Sequence, residues 1–280
     1  MLSMANRRRR RRTVALVGVV VLLIAYVLVR SFVLNDEVHQ VTTGEALDRY
    51  RQHSSTTLAP SPDSTSSTSA VVAPVNLTLP VAGVYLYRTQ GTESIDAVGG
   101  SMHRYPDETT VTVTAEGCGV ELQWDVLKER HERWVLCLGE DGIYLRPDGG
   151  QSFHEFFGQT KTEDITCDHP VLLVPVDGVP RPKESLTCLL GAASWSPSWE
   201  VLERSTMQAA GATVAVQHVR MTVDDNDQYF ERITLDWYLD EHGLPVKMQQ
   251  SKDSLSDTSF GDVEYIEYYV AQLESLAPLR

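Results

Sequence analysis

From Val81 to Arg280 the chain is a succession of short alternating runs broken by turn residues, and that pattern admits antiparallel β-structure and little else. Thr109-Thr-Val-Thr-Val-Thr-Ala115 alternates Val with Thr, the period of a half-buried strand. Between Tyr229 and Leu239, Ile233, Leu235, Trp237 and Leu239 fall on one face, with Thr234, Asp236 and Tyr238 on the other. Ala-Ala-Gly-Ala separates Val201–Met207 from Thr213–Val223, and Asp224-Asp-Asn-Asp227 and Glu241-His-Gly243 mark further turns. Val263–Val270 closes the chain as an aromatic strand. Turns recur roughly every ten residues with few helical periods, so residues 81–280 are expected to form one large sheet system or barrel.

The other end of the chain obeys different physics. Residues 7–12 are six consecutive arginines, followed by an uncharged stretch from Thr13 to Val29. As a helix, those seventeen residues span about 25 Å, a little short of a hydrocarbon core of about 30 Å. Arg30 can snorkel, and Ser31-Phe-Val-Leu34 extends the span. The arginine block holds its own end in the cytoplasm, so the C-terminal bulk is expected outside, as in a single-pass type II membrane protein. A cleaved signal peptide needs small residues just past the apolar stretch; the exit Val-Leu-Val-Arg-Ser-Phe-Val-Leu fits that poorly. No cysteine follows to carry a lipoprotein anchor.

Charge sharpens the split. Residues 1–34 hold seven arginines and no acid, so the remaining seventeen basic residues face all thirty-eight acidic ones, and residues 35–280 carry 17 − 38 = −21. A nucleic-acid-binding domain is excluded, because it needs cations to displace counterions.

All four cysteines, Cys118, Cys137, Cys167 and Cys188, lie in the exported part. An even number there indicates two disulfides with three possible connectivities. The favoured pairs are 118–137 and 167–188, each closing a loop of about twenty residues and contributing about 3 kcal/mol through the unfolded state. The first pair also follows if Gly119–Trp124 and Arg133–Cys137 form a hairpin in which facing positions sum to about 255. Zinc binding is the alternative, but no Cys-x-x-Cys pair occurs.

Between anchor and sheet, Thr42 followed by Glu45 is a capping box, with Ala46, Leu47 and Tyr50 on one helical face, and a juxtamembrane helix is placed within residues 35–52. It can pack on the domain, pack on a partner or stand as part of a stalk. Residues 53–80 are rich in Ser, Thr and Pro and cannot bury a core, so they read as a disordered tether. Asn76-Leu-Thr78 matches a glycosylation acceptor.

Motifs for chemistry are sparse. There is no Gly-x-Ser-x-Gly, Ser-x-x-Lys, His-Glu-x-x-His, phosphate loop or dinucleotide fingerprint, and neither a cofactor nor a catalytic residue is expected. Asp224–Asp227 has the oxygens of a calcium site but lacks the loop glycine and distal glutamate, so it reads better as an Asx turn. His103 with Asp107, and His218 with Glu231, are candidate polar pairs. Glu264 and Glu267, three apart, face opposite ways on a strand. The ligand-binding candidates are aromatic: Phe153, Phe156 and Phe157 in one run; Trp195 and Trp199 around Ser-Pro-Ser; Trp237 on the alternating strand; and Tyr265 and Tyr268. Sheet core is the competing account of all of them.

Leu235-Asp-Trp-Tyr-Leu-Asp-Glu241 followed by Gly243-Leu-Pro-Val-Lys247 resembles a strand–turn–strand of LolA-like and LppX/LprG-like envelope proteins. Gly83-Val-Tyr-Leu-Tyr-Arg-Thr89, Gly117-Cys-Gly119, Phe153-His-Glu-Phe-Phe-Gly158 and Gly261-Asp-Val-Glu-Tyr-Ile-Glu-Tyr-Tyr269 resemble pieces of uncharacterised actinobacterial membrane-anchored proteins. The LolA-like resemblance implies a curled antiparallel sheet or half-barrel that holds lipid under covering helices, although no covering helices are evident in residues 81–280. The resulting expectation has five parts: a basic tail (1–12), a transmembrane signal anchor (13–34), a juxtamembrane helix (35–52), a linker (53–80) and a mainly β extracytoplasmic domain (81–280). That domain is expected to bind a lipid, a glycan or a membrane-protein partner without catalysis. An extracytoplasmic hydrolase and an assembly factor for a membrane complex are the alternatives.

Overall fold

A computed structural model describes residues 38–54, 77–96, 100–156, 159–225, 230–258 and 261–280. The expected tail, the anchor at 13–34 and most of the expected linker lie outside these residues. Among the described residues no helix is long and apolar enough to cross a membrane. Val38–Glu155 together with Thr160–Arg280 form one compact unit. Of the chain's second unit only Phe156 and Gln159 are described, as the last residue of one strand and the first of the next.

One helix, α1 (Thr43–Ser54), precedes sixteen described strands. The first group is β1 (Gly83–Ile95), β2 (Ser101–Arg104), β3 (Glu108–Glu116), β4 (Gly119–Leu127), β5 (Arg130–Leu138) and β6 (Gly142–Phe156). Then come β7 (Gln159–Cys167), β8 (Val171–Pro175), β9 (Arg181–Ser185), β10 (Cys188–Leu190) and β11 (Ala193–Trp195). The last are β12 (Ser198–Ala209), β13 (Ala212–Asp225), β14 (Glu231–Leu239), β15 (Pro245–Thr258) and β16 (Gly261–Leu273). From edge to edge the sheet runs β11-β10-β7-β6-β5-β4-β3-β1-β16-β15-β14-β13-β12-β9; β2 adds to β1 and β8 to β6.

This antiparallel path of fourteen strands is curled into a half-barrel. Trp134 on β5 and Trp237 on β14 meet edge-on with ring centroids 5.0 Å apart. Five strands separate them in the sheet, and a flat sheet would hold them about 29 Å apart. The inner face therefore folds onto itself, and its aromatics make the core: Trp124 packs at a tilt on Tyr269 with ring centroids 4.4 Å apart, and Trp199 meets Trp237 at 5.8 Å. Ile233, Leu235, Trp237 and Leu239 are all buried, as their alternation requires. β8 closes one side, pairing with β6 while Pro175 accepts a hydrogen bond from Arg204 of β12.

The capping box forms as the sequence predicts. The Thr42 amide donates to Glu45 Oε2 at 2.9 Å, and the Glu45 amide donates to Thr42 Oγ1 at 3.2 Å. α1 lies on the outer face, where Val41 and Ala46 pack on Val84 with Leu47 and Tyr50 beside them. Arg49 makes a two-pronged ion pair with Asp125 of β4. The helix is thus docked on the sheet, and its last turn reaches Ser54, into the expected linker.

Disulfides join Cys118 to Cys137 and Cys167 to Cys188. Cys167 and Cys188 face each other directly across β7 and β10. Two such bonds mark an oxidising, extracytoplasmic compartment. The β4–β5 hairpin is tighter than expected: its strands run on to Leu127 and Arg130, and facing positions sum to 256, as in Gly119 with Cys137.

Candidate functional site

Alternation puts charged side chains on the inner face at one end of the strands. Glu93 on β1 faces Glu267 on β16 and His103 on β2. Two carboxylates directly opposite would repel. Arg130, at the start of β5, reaches across the concavity and relieves this. Its Nη2 lies 3.3 Å from Glu267 Oε1 and also pairs with Glu132, and its Nε is 3.8 Å from Glu93 Oε2. Glu93, His103, Arg130 and Glu267 are at most 1% exposed.

Hydrogen bonds complete the cluster. His103 Nδ1 lies 2.9 Å from Glu93 Oε1, and Tyr265 donates to Glu93 Oε2 at 2.8 Å. Tyr105 donates to Glu267 Oε1, and Gln250 Nε2 donates to its other oxygen. His154, opposite Arg130 on β6, has Nε2 2.9 Å from Ser152 Oγ and Nδ1 3.6 Å from Glu93. Arg130 Nε has no hydrogen-bond partner among the described residues.

The electrostatics follow from this packing. Burial pushes the Glu93 carboxyl up, but His103, His154 and Arg130 outweigh it and bring its pKa down to about 2. Burial raises Glu132 against the pull of Arg130. His154 drops to about 4, through burial and then the Arg130 charge, so its ring is neutral at neutral pH. Burial and the Glu267 charge push Tyr105 and Tyr265 well above ten.

This cluster floors a cleft of about 100 Å³ inside the half-barrel. Arg130, Glu132, His154, Gln250 and Glu267 line its polar end; Trp134, Ile165, Trp195, Trp199, Met221 and Leu235 line its apolar walls. Trp195 is fixed by donating to Glu231 at 2.9 Å, and Lys252 closes the other side of Glu231 at 2.8 Å.

Of the aromatic candidates, Trp195 and Trp199 line the cleft, Trp237 lies behind it in the core, and Tyr265 holds the floor through Glu93. Phe153 stacks on His131, its cross-strand neighbour, and takes the opposite parity to the cleft residues Ser152 and His154. Tyr268 is 49% exposed on the outer face. Phe156 is half-buried at the end of β6, and Phe157 lies outside the described residues. Asn226 and Asp227 of the acidic turn also lie outside them. The candidate polar pairs rearrange. His103 is buried against Glu93 and away from Asp107; His218 faces Tyr238 and bonds Asp236 at 2.6 Å, while Glu231 faces Asp225. Sequence reasoning passed over Glu93, Arg130 and Glu132, weighed Glu267 only as a partner for Glu264, and met His154 only within the Phe153–Gly158 run. The signal for them was charge at inner-parity positions, such as Glu267 between Tyr265 and Tyr269.

No family model, curated protein or solved structure matches the chain.

Proposed function

We propose that this chain is a membrane-anchored envelope protein, held by residues 13–34, whose extracytoplasmic sheet binds an amphiphilic ligand without catalysis. The observation that carries this is the cleft: tryptophan and aliphatic walls ending on buried hydrogen-bonding groups. An apolar pocket with a few convergent polar groups is the usual form of a small-molecule site. At about 100 Å³ the cleft is smaller than the roughly 150 Å³ apolar cavity that holds a benzene ring, so it admits a short apolar end of about four carbons, not a whole acyl chain, with the polar end on the floor. Ser152 points into the cleft from β6, and Ser152→Trp fills it. Native mass spectrometry of the detergent-exchanged full chain should show a bound, solvent-extractable mass that Ser152→Trp lacks. No mass on the wild type, or the same mass on the variant, removes the cleft as the binding site.

A hydrolase is the second reading, favoured by one observation: Ser152, His154 and Glu93 stand in the order nucleophile, base and orienting acid. The 3.6 Å from His154 to Glu93 exceeds a hydrogen bond, and a histidine with a pKa near 4 is a weak base. A fluorophosphonate probe should therefore leave Ser152 unlabelled; stoichiometric labelling would reverse the preference.

A further inference from the structure

The described chain joins the sheet at one end of its strands. The His39 carbonyl accepts from the Lys128 amide at 2.9 Å, in the β4–β5 turn, and Gln40 donates to the Glu108 carbonyl at the start of β3. α1 then runs along the outer face to the opposite end, where Arg51 donates to the Arg280 carbonyl beside the Val84–Leu279 bridge. The chain resumes at that same far end. Leu77 and Leu79 pack on the core, and Thr78 Oγ1 lies 2.7 Å from His242 Nδ1 in the β14–β15 turn. Both flanks of the Ser/Thr/Pro-rich stretch therefore sit at one end of the sheet, and residue 38 sits at the other.

Past the level of Glu108 the strands continue. Arg88 faces Glu108, and β1 runs on to Ser94, which faces Met102 on one side and Ile266 on the other. From Arg88 to Ser94 is about 20 Å of strand. This overhang of β1, β2 and β16 exposes apolar side chains on its outer face: Met102 is 69%, Ile266 44% and Tyr268 49% exposed. Ile95, Met102 and Ile266 also line a shallow groove there.

Only Asn35, Asp36 and Glu37 separate the apolar run, which ends at Leu34, from Val38. Fully extended, the link from residue 34 to residue 38 reaches about 14 Å, so the overhang is longer than the leash. We propose that the overhang rests in the outer lipid interface, with Met102, Ile266 and Tyr268 as the contact. The Ser/Thr/Pro-rich stretch then leaves from the membrane-distal end. This rests on residues 13–34 being the membrane anchor and is independent of what the cleft binds. A tyrosine beside aliphatic side chains suits the headgroup boundary. Asp96 and Glu264, which line the same groove, make an anionic surface the wrong partner, so the surface is one of zwitterionic lipid.

The test uses the full chain in phosphatidylcholine nanodiscs, with a photoreactive benzoylphenylalanine placed at Met102, at Ile266 or at Val179. Val179 is 51% exposed and follows β8 at the distal end, so it is the control. Label transfer to lipid from positions 102 and 266 should exceed that from 179 by about fivefold or more. Equal or absent transfer from 102 and 266, in a chain that resists alkaline extraction, overturns the interface and leaves the anchor standing. Release of the chain by alkaline carbonate overturns both.

Discussion

Arg130 is the residue on which the inner face depends, because its guanidinium is shared by three carboxylates, Glu93, Glu132 and Glu267. Arg130→Met should cost about 3–5 kcal/mol in chemical denaturation, since Glu93 and Glu267 would stay buried without their cation. His154 gives a test in pH. Between pH 4 and 6.5 the unfolded chain takes up a proton there and the folded one does not, so this residue makes stability rise with pH across that window. The effect is on the order of 3 kcal/mol and should vanish in His154→Gln, read as a flatter plot of melting temperature against pH from 4 to 6.5. Glu93 acts in the same direction at lower pH: its depressed pKa adds stability that is lost as pH falls from 4.5 towards 2. Glu132, whose pKa burial raises above 4.5, opposes His154 in the upper window only, so Glu132→Gln should steepen the profile there. The sequence made the faces legible at this scale, because parity along a strand is local. It left the partners hidden. Glu93, Arg130 and Glu267 meet only once β1, β5 and β16 are placed across a curled sheet, and no local pattern encodes that distance. Phe153 and Tyr268 mislead for a related reason, because aromatic content says nothing about which side of a strand a ring takes.

Among the elements, α1 was the best specified by sequence, since a capping box and a three-residue apolar face are short-range signals. What it packs on was not. Ala46 is fully buried against Val84, so Ala46→Arg should lift the helix from the sheet. Hydrogen exchange would then show α1 amides losing protection while those of β3, β4 and β16 keep theirs. Thr42→Ala should cost about 1 kcal/mol through the cap alone. The disulfides were legible in part: an even number of cysteines and two separations of 19 and 21 residues favoured their pairing, but the hairpin register is shifted by one residue from the expected one, so that Gly119, not Cys118, faces Cys137. A thiol count on the unreduced protein should be zero, and replacing Cys167 and Cys188 together by serine should cost about 3 kcal/mol.

At the scale of the whole molecule, one sheet folds its inner face onto itself. Alternation predicts such a sheet but not the strand order, in which β1 lies between β3 and β16 and brings the first and last strands together. Residues 77–80, assigned to the linker by composition, are the sheet's first packed residues, because Leu77 and Leu79 find the core. With Arg51 and Leu77 both held at one end, the two described flanks of the low-complexity stretch lie on a single body. Loop closure depends only weakly on length, and a doubling costs about 0.6 kcal/mol. Evolution and the engineer then have the same freedom there: cargo spliced between residues 55 and 76, whether glycan-bearing repeats, an epitope or a folded module, would be displayed without disturbing the scaffold that carries it.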